Sequence, residues 1–584
     1  MTPQQRVRVA IGVIVILGIA LRIDAIAIGP VMDDIAQRAM LDGSYAVARA
    51  PWDLFSFVDG DPAEVQRLTA AGSLPWWSDP QLRLSTFRPL SSLLVAFDGA
   101  VFGDAYVLHH VHSLLWWTAM LLAGARLLRR LLPTPWALLA FALWVLDESH
   151  VQPLAWLANR NAIVAACFGL VAFEAHLRWR DEGGARTRAW SLVMLALSFA
   201  AGEYALCIVA LLLAHELTMP AGPDRRRALA GVFAVVLAWA LLHRGLGYGG
   251  QHSAIYVDPL GEPGAWWAAA QVRLPALLAD LGLALPTGTL AFSSSALRWQ
   301  AVAGLLAVVL LYGRARMLVR TRPQLRWAAW ASVLAVIPVV SAFPSARLLL
   351  VASLPAHVLI AGLVLDGAQA WRDDGARVVR GARMGLAALL VVAHVGLASL
   401  WGRRELGDIA AFAAAGERAA LAMPVDDEAL PQQHVVVFAA ADPMTLLYPP
   451  LLRHLHGHPL PRAWTVLSLA PGPHRLHRTS SVGFDLAVVQ GAMLRGPVEQ
   501  LFRRADALPP VGTEVALDRA RVTVREVDDA GFVRRISVRF DQPLEDSSLV
   551  FLIATPRGFL RYPLARVGTE LELPPATAPL VVGG

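Results

Sequence analysis

Residues 5–34 read QRVRVAIGVIVILGIALRIDAIAIGPVMDD, an apolar run that two arginines precede and two aspartates follow. Arg6 and Arg8 before the run 9–20 have the charge order of a signal sequence, and residues 25–27 have the small-residue spacing of a cleavage site. We predict an uncleaved membrane anchor. Whether the segment is kept as an anchor or cleaved as a signal sequence, residues from about 29 onward lie outside the cytoplasm.

Apolar blocks of similar length recur along the chain. The further segments lie at 108–125, 135–147, 161–178, 189–202, 204–218, 228–246, 299–313, 327–343, 347–366 and 384–401. A helix needs about 20 apolar residues to cross roughly 30 Å of hydrocarbon. The mean hydropathy is +0.50 and only 16% of the residues are charged. The sequence therefore predicts a polytopic α-helical membrane protein with about eleven transmembrane helices.

Arginine clusters occupy every second loop between these segments. They lie at 126–130, 178–188, 225–227, 314–326 and 372–383. Cytoplasmic loops of membrane proteins are enriched in basic residues, so the N-terminus is predicted in the cytoplasm. The loops 30–107, 148–160, 247–298 and 342–346 are then outside. An odd number of spans also places residues 403–584 outside, and a bacterial inner or plasma membrane is the expected location.

The composition excludes several classes of protein. The chain has no lysine, so all 51 basic residues are arginine. A Walker P-loop, a Schiff-base lysine and a lysine general base are therefore excluded. Loop arginines explain the pI of 9.8 better than a nucleic-acid partner does. Cys167 and Cys207 lie in apolar segments without metal-type spacing, so the cysteines predict neither a zinc site nor a disulfide framework.

The predicted domains are a transmembrane domain, 1–402, with outer loops 30–107 and 247–298, and an extracytoplasmic soluble domain, 403–584. Alternating and continuous apolar runs predict strands in the second domain. These strands lie at 434–438, 465–469, 484–489, 519–527, 532–540 and 549–553, and a helix lies at about 443–456. The second domain is predicted to be a small α/β or β-rich fold.

Asp33 and Asp34 directly follow the first helix and are the first candidates for catalysis. Adjacent carboxylates repel each other, so one of them can titrate high enough to serve as a general base. The structural alternative is N-capping of a helix that starts there.

Arg88 in Phe87-Arg88-Pro89-Leu90 precedes a short apolar stretch, 93–102, which is predicted to lie along the membrane interface. It could bind a phosphate bidentately or snorkel at the headgroups. His109 and His112 share a helix face, as a metal or phosphate pair would require. Interfacial packing of both histidines is the favoured alternative.

Other outer positions carry isolated polar residues. Asn159 and Arg160 lie in the turn 156–161, Glu203 lies alone between two apolar spans, and Arg347 begins a late span. The loop with Tyr256 and Asp258 also contains Gly247-Tyr248-Gly249-Gly250, which follows no predicted strand and has no lysine, so a flexible loop is expected rather than a nucleotide cradle. Asp59-Gly60-Asp61 matches a D-x-D pattern, but so short a match is common by chance.

The order of these motifs resembles the GT-C superfamily of membrane glycosyltransferases. Within it, the chain is most similar to protein O-mannosyltransferases and to relatives with tetratricopeptide tails. Residues 156–161, WLANRN, resemble that group's Trp-x-x-x-Arg-x-Asp turn, and residues 201–203, AGE, resemble its Ala-Lys-Glu. The resemblance covers about 1–220 and more loosely 1–401. Gly202 and Asn161 depart from the pattern, and no tetratricopeptide repeats follow.

The resemblance implies transfer of a sugar from a polyprenyl-phosphate donor to a protein or glycan acceptor outside the cytoplasm. The implied roles are general base for Asp33, partner or metal ligand for Asp34, and donor-phosphate binding for Arg88, Arg160 and Arg347. The implied cavity residues are His109, His112, Asn159, Glu203, Tyr256 and Asp258. No cofactor is certain, and a divalent cation, Mg²⁺ or Mn²⁺, stays open. The alternatives are a catalytically silent scaffold that binds glycan or protein, and a lipid-linked glycan polymerase, ligase or flippase.

Overall fold

The computed structural model describes residues 1–219, 224–290, 293–373, 376–564 and 566–577. The chain forms two compact units. The helical unit comprises Met1–Ile28, Phe87–Leu246 and Pro259–Ile409, and the sheet unit comprises Gly29–Thr86, Gly247–Asp258 and Ala410–Gly584. Parts of both long predicted loops thus belong to the same unit as the C-terminal residues.

The helices are numbered in chain order. They are α1 Pro3–Arg22, α2 Asp33–Asp42, α3 Pro62–Ala71, α4 Pro89–Phe102, α5 Tyr106–Leu131, α6 Thr134–Leu146, α7 Val151–Ala155, α8 Arg160–Glu182, α9 Ala185–Ala201, α10 Ala205–Thr218, α11 Arg225–Gly245, α12 Pro263–Leu283, α13 Thr287–Leu290, α14 Ser294–Thr321, α15 Arg326–Leu334, α16 Ser353–Ala370, α17 Arg377–Val391, α18 Ala398–Leu421, α19 Pro443–Leu447, α20 Pro449–Leu455 and α21 Pro497–Phe502. A π-helical segment, Val392–Leu397, joins α17 to α18.

Eight helices in the described part of the chain are long and apolar enough to cross a membrane. They are Pro3–Ala27, Tyr106–Leu131, Leu157–Glu182, Arg225–Gly245, Ser294–Thr321, Pro323–Ser341, Ser353–Ala370 and Arg377–Leu421. Each of the other three predicted segments is also helical, but α6, α9 and α10 have only 13, 17 and 14 residues. A 13-residue helix is about 20 Å long, which is shorter than the hydrocarbon layer. The fold class is nevertheless the predicted one, a polytopic α-helical membrane protein.

The helices of the helical unit pack closely where small residues face a neighbour. Helix α12 lies against α14 at Gly304, where an added Cβ would be 1.9 Å from the carbonyl oxygen of Pro275. Membrane helices gain most of their association energy from such close packing, because lipid tails are as apolar as the side chains. Gly304 is therefore required by the α12 to α14 contact.

The sheet unit contains thirteen strands in its described residues. They are β1 Ser56–Asp59, β2 Arg83–Ser85, β3 Gly249–Gln251, β4 His434–Val437, β5 Ala463–Val466, β6 His474–Ser480, β7 Gly483–Val488, β8 Glu514–Leu517, β9 Ala520–Val527, β10 Val533–Phe540, β11 Leu549–Thr555, β12 Gly558–Arg561 and β13 Glu570–Leu573. All six strands predicted in the C-terminal part are present. The predicted helix at 443–456 is interrupted at Tyr448, where Pro449 and Pro450 follow and α20 begins.

The strands form three sheets. Strands β1, β2 and β3 form a small antiparallel sheet, so the glycine-rich stretch at 247–250 ends in a paired strand rather than in a flexible loop. A six-stranded antiparallel sheet has the order β13-β6-β7-β10-β9-β8. A four-stranded sheet has the order β12-β11-β4-β5, in which β11, β4 and β5 are parallel. Strands β4, β5 and most of β11 are buried at every position, as expected for a parallel sheet that is covered on both faces. Burial alternates along β10, as expected for an antiparallel sheet with one face in contact with solvent.

Candidate functional site

Asp33 and Asp34 begin α2 in the sheet unit, and the structure gives them different surroundings. Asp34 is 6% exposed, and its Oδ2 atom accepts a hydrogen bond from the backbone N–H of Val31 at 3.0 Å. Asp33 is half-buried, and its carboxylate accepts a hydrogen bond from the Tyr448 hydroxyl. Burial, reinforced by the negative charge of Asp33, raises the pKa of Tyr448 well above its usual value, so this hydroxyl remains a donor.

The backbone before α2 is strained. Met32, the N-cap residue, has φ = 45°, and its side chain makes no capping hydrogen bond. A non-glycine residue with positive φ costs free energy and persists only where its surroundings impose it, often at functional sites. Here the Val31 to Asp34 hydrogen bond and the packing of Met32 against Ile35 and Met444 hold the turn. Met32, and neither aspartate, is the N-cap residue of α2, so the capping alternative is wrong; the Asp34 carboxylate instead fixes the turn before the helix.

Two other stretches that the sequence singled out, the segment 247–258 and the Asp59-Gly60-Asp61 pattern, make hydrogen bonds within the sheet unit. Tyr248 donates a hydrogen bond to Asp53 Oδ1 at 2.9 Å. Asp61 of the D-x-D pattern caps α3 by accepting a hydrogen bond from Ala63 N, so that pattern forms a turn and a helix cap. Tyr256 packs against Gly250, and Tyr256 and Asp258 are half-buried in the segment 247–258. Their binding roles stay predictions.

In the helical unit, the turn between α9 and α10 contacts both Arg88 and Arg347. Arg88 Nε lies 2.8 Å from Glu203 Oε2, and both side chains are about one-quarter exposed, at 21% and 27%. The next residue, Tyr204, donates a hydrogen bond from its hydroxyl to the backbone oxygen of Arg347 at 3.4 Å. One short turn therefore connects two of the three arginines that the sequence predicts to bind a phosphate.

Arg347 stacks on an aromatic ring. Its guanidinium carbon lies 4.8 Å from the ring centre of Trp156. In the described residues, Arg347 Nε and the nearby Ser345 hydroxyl are buried and make no hydrogen bond. Glu405 interacts electrostatically with Arg347 and accepts a hydrogen bond from Gln152 Nε2 at 2.6 Å. Buried polar atoms usually have partners, so this stacked guanidinium is well suited to contact an anion.

Arg160, His109 and His112 converge on Asp98, a residue that the sequence analysis missed. Asp98 on α4 is fully buried, and its two oxygens lie 2.6 Å from Arg160 Nη1 and 2.6 Å from His112 Nδ1. His112 Nε2 accepts a hydrogen bond from Trp116 Nε1 at 3.0 Å. His109 Nε2 lies 2.9 Å from the carbonyl oxygen of Gly103.

Both ring nitrogens of His112 are therefore engaged within the protein. Arg160 as a phosphate ligand stays a prediction. A sequence signal for Asp98 existed, because a lone carboxylate in the apolar stretch 89–102 needs a partner. For Tyr448 no local signal existed.

Gly202 and Asn161 are neighbours in space. A Cβ at Gly202 would lie 3.3 Å from Asn161 Oδ1, and Asn161 Nδ2 donates to the Ala158 carbonyl at 2.6 Å. Asn159 is buried at 4% exposure, and its role in a cavity stays a prediction.

The described fold defines a polytopic α-helical membrane protein with a C-terminal domain of mixed sheets. No protein-family model matches the chain, and none of the curated proteins matches it. Among solved structures, it is similar to ArnT from Cupriavidus metallidurans in the apo state, with a TM-score of 0.40, 12% identity, and coverage of 79% of this chain and 86% of that chain. The same enzyme bound to undecaprenyl phosphate gives a TM-score of 0.36, 13% identity and the same coverages.

A second similar structure is the Archaeoglobus fulgidus oligosaccharyltransferase tethered to an acceptor peptide. The TM-score is 0.38 at 12% identity, with 79% of this chain covered. This chain spans 64% of the length of that oligosaccharyltransferase.

Proposed function

We propose that this protein is a membrane glycosyltransferase that moves a sugar from a polyprenyl-phosphate donor to an extracytoplasmic protein or glycan acceptor. The observation that carries the proposal is the turn at Glu203 and Tyr204: the Glu203 carboxylate contacts the Arg88 guanidinium, and the Tyr204 hydroxyl donates to the backbone oxygen of Arg347. A polyprenyl phosphate combines an apolar tail with an anionic headgroup. An apolar helical unit that holds two linked arginines matches both parts of such a donor.

In the proposed reaction, the acceptor hydroxyl attacks the anomeric carbon of the donor sugar. A bond forms between the acceptor oxygen and that carbon, and the bond from the carbon to the phosphate oxygen breaks. The polyprenyl phosphate leaves with the bonding electron pair, and Arg347 and Arg88 offset its developing negative charge. The proton of the acceptor hydroxyl goes to the Asp33 carboxylate.

Asp33 is assigned as the base rather than Asp34 for a geometric reason. Asp34 is buried and already accepts the Val31 N–H, whereas Asp33 is only partly buried. The hydrogen bond from Tyr448 orients the Asp33 carboxylate. A base must reach a substrate hydroxyl within hydrogen-bond distance, and partial exposure is a condition for this.

The proposed location follows from the arginine-rich loops. The N-terminus lies in the cytoplasm, and the sugar is transferred on the opposite face of a bacterial inner or plasma membrane, where the C-terminal domain binds the acceptor or a glycan. The proposed sugar is a hexose, and mannose is included.

Replacing Arg347 with methionine is expected to weaken donor binding by about 10- to 150-fold, since a hydrogen bond to a charged group contributes about 1.5–3 kcal/mol. Methionine keeps an apolar side chain near Trp156 but removes the charge. The measurement is the dissociation constant of a polyprenyl-phosphate sugar for the protein in nanodiscs. Arg347→Lys is expected to recover only part of the affinity, because an ammonium group cannot stack flat on an indole ring.

The matched control is Arg126→Met. Arg126 is an exposed arginine of the same unit that pairs with Glu174 at 3.2 Å, and its replacement should leave donor affinity unchanged. Equal affinity in wild type and Arg347→Met would contradict the assignment of Arg347 to the donor phosphate.

A further inference from the structure

Three buried side chains of the helical unit meet at one point. Asp147 directly follows α6, His357 lies on α16, and His394 lies on the π-helical segment Val392–Leu397. One ligand atom from each residue lies within 4.8 Å of the ligand atoms of the other two. His357 and His394 are 0% and 1% exposed.

Hydrogen bonds to backbone carbonyls fix the tautomers of both histidines. His357 Nδ1 lies 2.8 Å from the carbonyl oxygen of Ser353, and His394 Nε2 lies 3.1 Å from that of Gly282. A carbonyl oxygen only accepts hydrogen bonds, so these two nitrogens carry the protons. The other nitrogens, His357 Nε2 and His394 Nδ1, are buried and make no hydrogen bond with any described residue. In neutral rings, both nitrogens have a free lone pair.

The carboxylate of Asp147 completes the set. Its Oδ1 atom accepts the backbone N–H of Ser149 at 3.0 Å, and its Oδ2 atom lies 3.5 Å from His357 Nε2. Arg22 donates to the backbone oxygen of Asp147 at 2.7 Å, which leaves Oδ2 available. A separation of 3.5 Å is too long for a good hydrogen bond. It is close to the edge of about 3.3 Å expected between two ligands of a tetrahedral zinc ion with bonds of about 2.0–2.1 Å.

We propose that Asp147, His357 and His394 bind a divalent transition-metal ion of the zinc type. Two imidazole nitrogens and one carboxylate oxygen form a donor set that suits Zn²⁺ and its first-row neighbours, whereas Mg²⁺ prefers oxygen ligands alone. The carbonyl oxygens of Ser353 and Gly282 are the outer partners that metal-binding histidines normally have. Because the ligands come from three separate elements, the ion links the end of α6, α16 and the α17 to α18 connection.

Two features of the surroundings support this site. His394 lies on a π-helical segment. Such segments are rare in proteins, and where they occur they often lie at functional sites. The carboxyl groups of Glu148 and Asp280 hydrogen-bond to each other and interact electrostatically with Asp147. One of these two carboxyls carries the proton of that hydrogen bond, so the pair adds at most one negative charge near Asp147, which favours a bound cation. The proposal does not depend on the transferase reaction.

The test is metal binding by the full-length protein, purified in detergent without a polyhistidine tag. After incubation with Zn²⁺ and gel filtration, wild type is expected to retain about one zinc ion per chain, measured by mass spectrometry of the elements. His394→Gln and His357→Gln are expected to retain at least tenfold less. The matched control is His215→Gln, because His215 is a histidine of the same unit outside the cluster, and it should bind zinc as wild type does.

A second measurement on wild type alone covers variants that fail to fold. Addition of Co²⁺ is expected to produce the visible absorption bands of four-coordinate cobalt, and Zn²⁺ should abolish them. Zn²⁺ should also raise the melting temperature of wild type, since a ligand that binds only the folded state stabilises it. Absence of both retained zinc and a cobalt spectrum in wild type, or equal zinc retention by His394→Gln, would overturn the proposal.

Discussion

The variant Asp33→Asn is expected to consume a polyprenyl-phosphate sugar at least about a hundredfold more slowly than wild type, which is the usual consequence of losing a general base. Asparagine has nearly the shape of aspartate and can still accept the Tyr448 hydrogen bond, but it cannot take a proton from the acceptor hydroxyl. The measurement is release of polyprenyl phosphate by purified protein in nanodiscs, in the presence of candidate acceptors. Donor affinity should change little, so the loss should fall on the turnover number.

Asp34→Asn is the matched control for this prediction. The amide oxygen of asparagine can still accept the Val31 N–H, so the start of α2 should stay intact and turnover should remain within a few-fold of wild type. Asp34→Ala should instead destabilise the sheet unit by about 1 kcal/mol through loss of the hydrogen bond from the Val31 N–H. Wild-type turnover by Asp33→Asn would remove Asp33 from the mechanism. If wild type binds donor but never turns it over, the scaffold hypothesis is favoured.

The largest loss of stability is expected from Asp98→Leu. Asp98 is fully buried between Arg160, whose side chain is 3% exposed, and His112. Removal of one partner of a buried ion pair leaves the other charge without compensation, which typically costs about 3–5 kcal/mol. The free energy of unfolding in detergent micelles, from denaturant or heat, measures this loss. This measurement of stability does not require the protein to turn over a substrate.

The double variant Asp98→Leu with Arg160→Leu distinguishes the ion pair from simple loss of packing. Without either charge, no buried ion remains uncompensated, so the double variant should be more stable than Asp98→Leu alone. The interaction energy from the four proteins should be on the order of 1–3 kcal/mol. An Asp98→Leu protein as stable as wild type, or losses that simply add, would refute a stabilising role for the pair.

Local patterns in the sequence were sufficient for the class of the protein. Each predicted apolar segment is helical, because a run of apolar residues in a bilayer must satisfy its backbone hydrogen bonds internally. The strands 520–527 and 549–555 were visible for a similar reason, since alternation or continuous apolarity reflects which faces of a strand are buried. The span count was less well predicted, because run length alone does not separate α6 and α10 from full-length spans.

The candidate site was only partly predictable. Asp33, Arg88, Glu203 and Arg347 are singled out by the sequence because a polar residue at the end of an apolar helix is conspicuous, and their roles stay predictions. The sequence also suggested that His112 could hold a metal or phosphate, and the structure instead places this ring between Asp98 and Trp116. Spacing along a helix shows which residues share a face, but not what the neighbouring helix presents to that face.

By itself, the sequence determined the membrane class, the apolar helices, six of the ten C-terminal strands in the described residues and the arginine-rich loops, because these depend on hydropathy and period within one segment. Only the tertiary structure decided which side chains contact each other across long stretches of the chain. Arg88 meets Glu203 across 115 residues, and Trp76 donates to the Leu467 carbonyl across 391 residues. The pairing of Asp147 with His357 and His394 is of the same kind. Such contacts arise from how distant segments pack, and no local repeat in the chain encodes them.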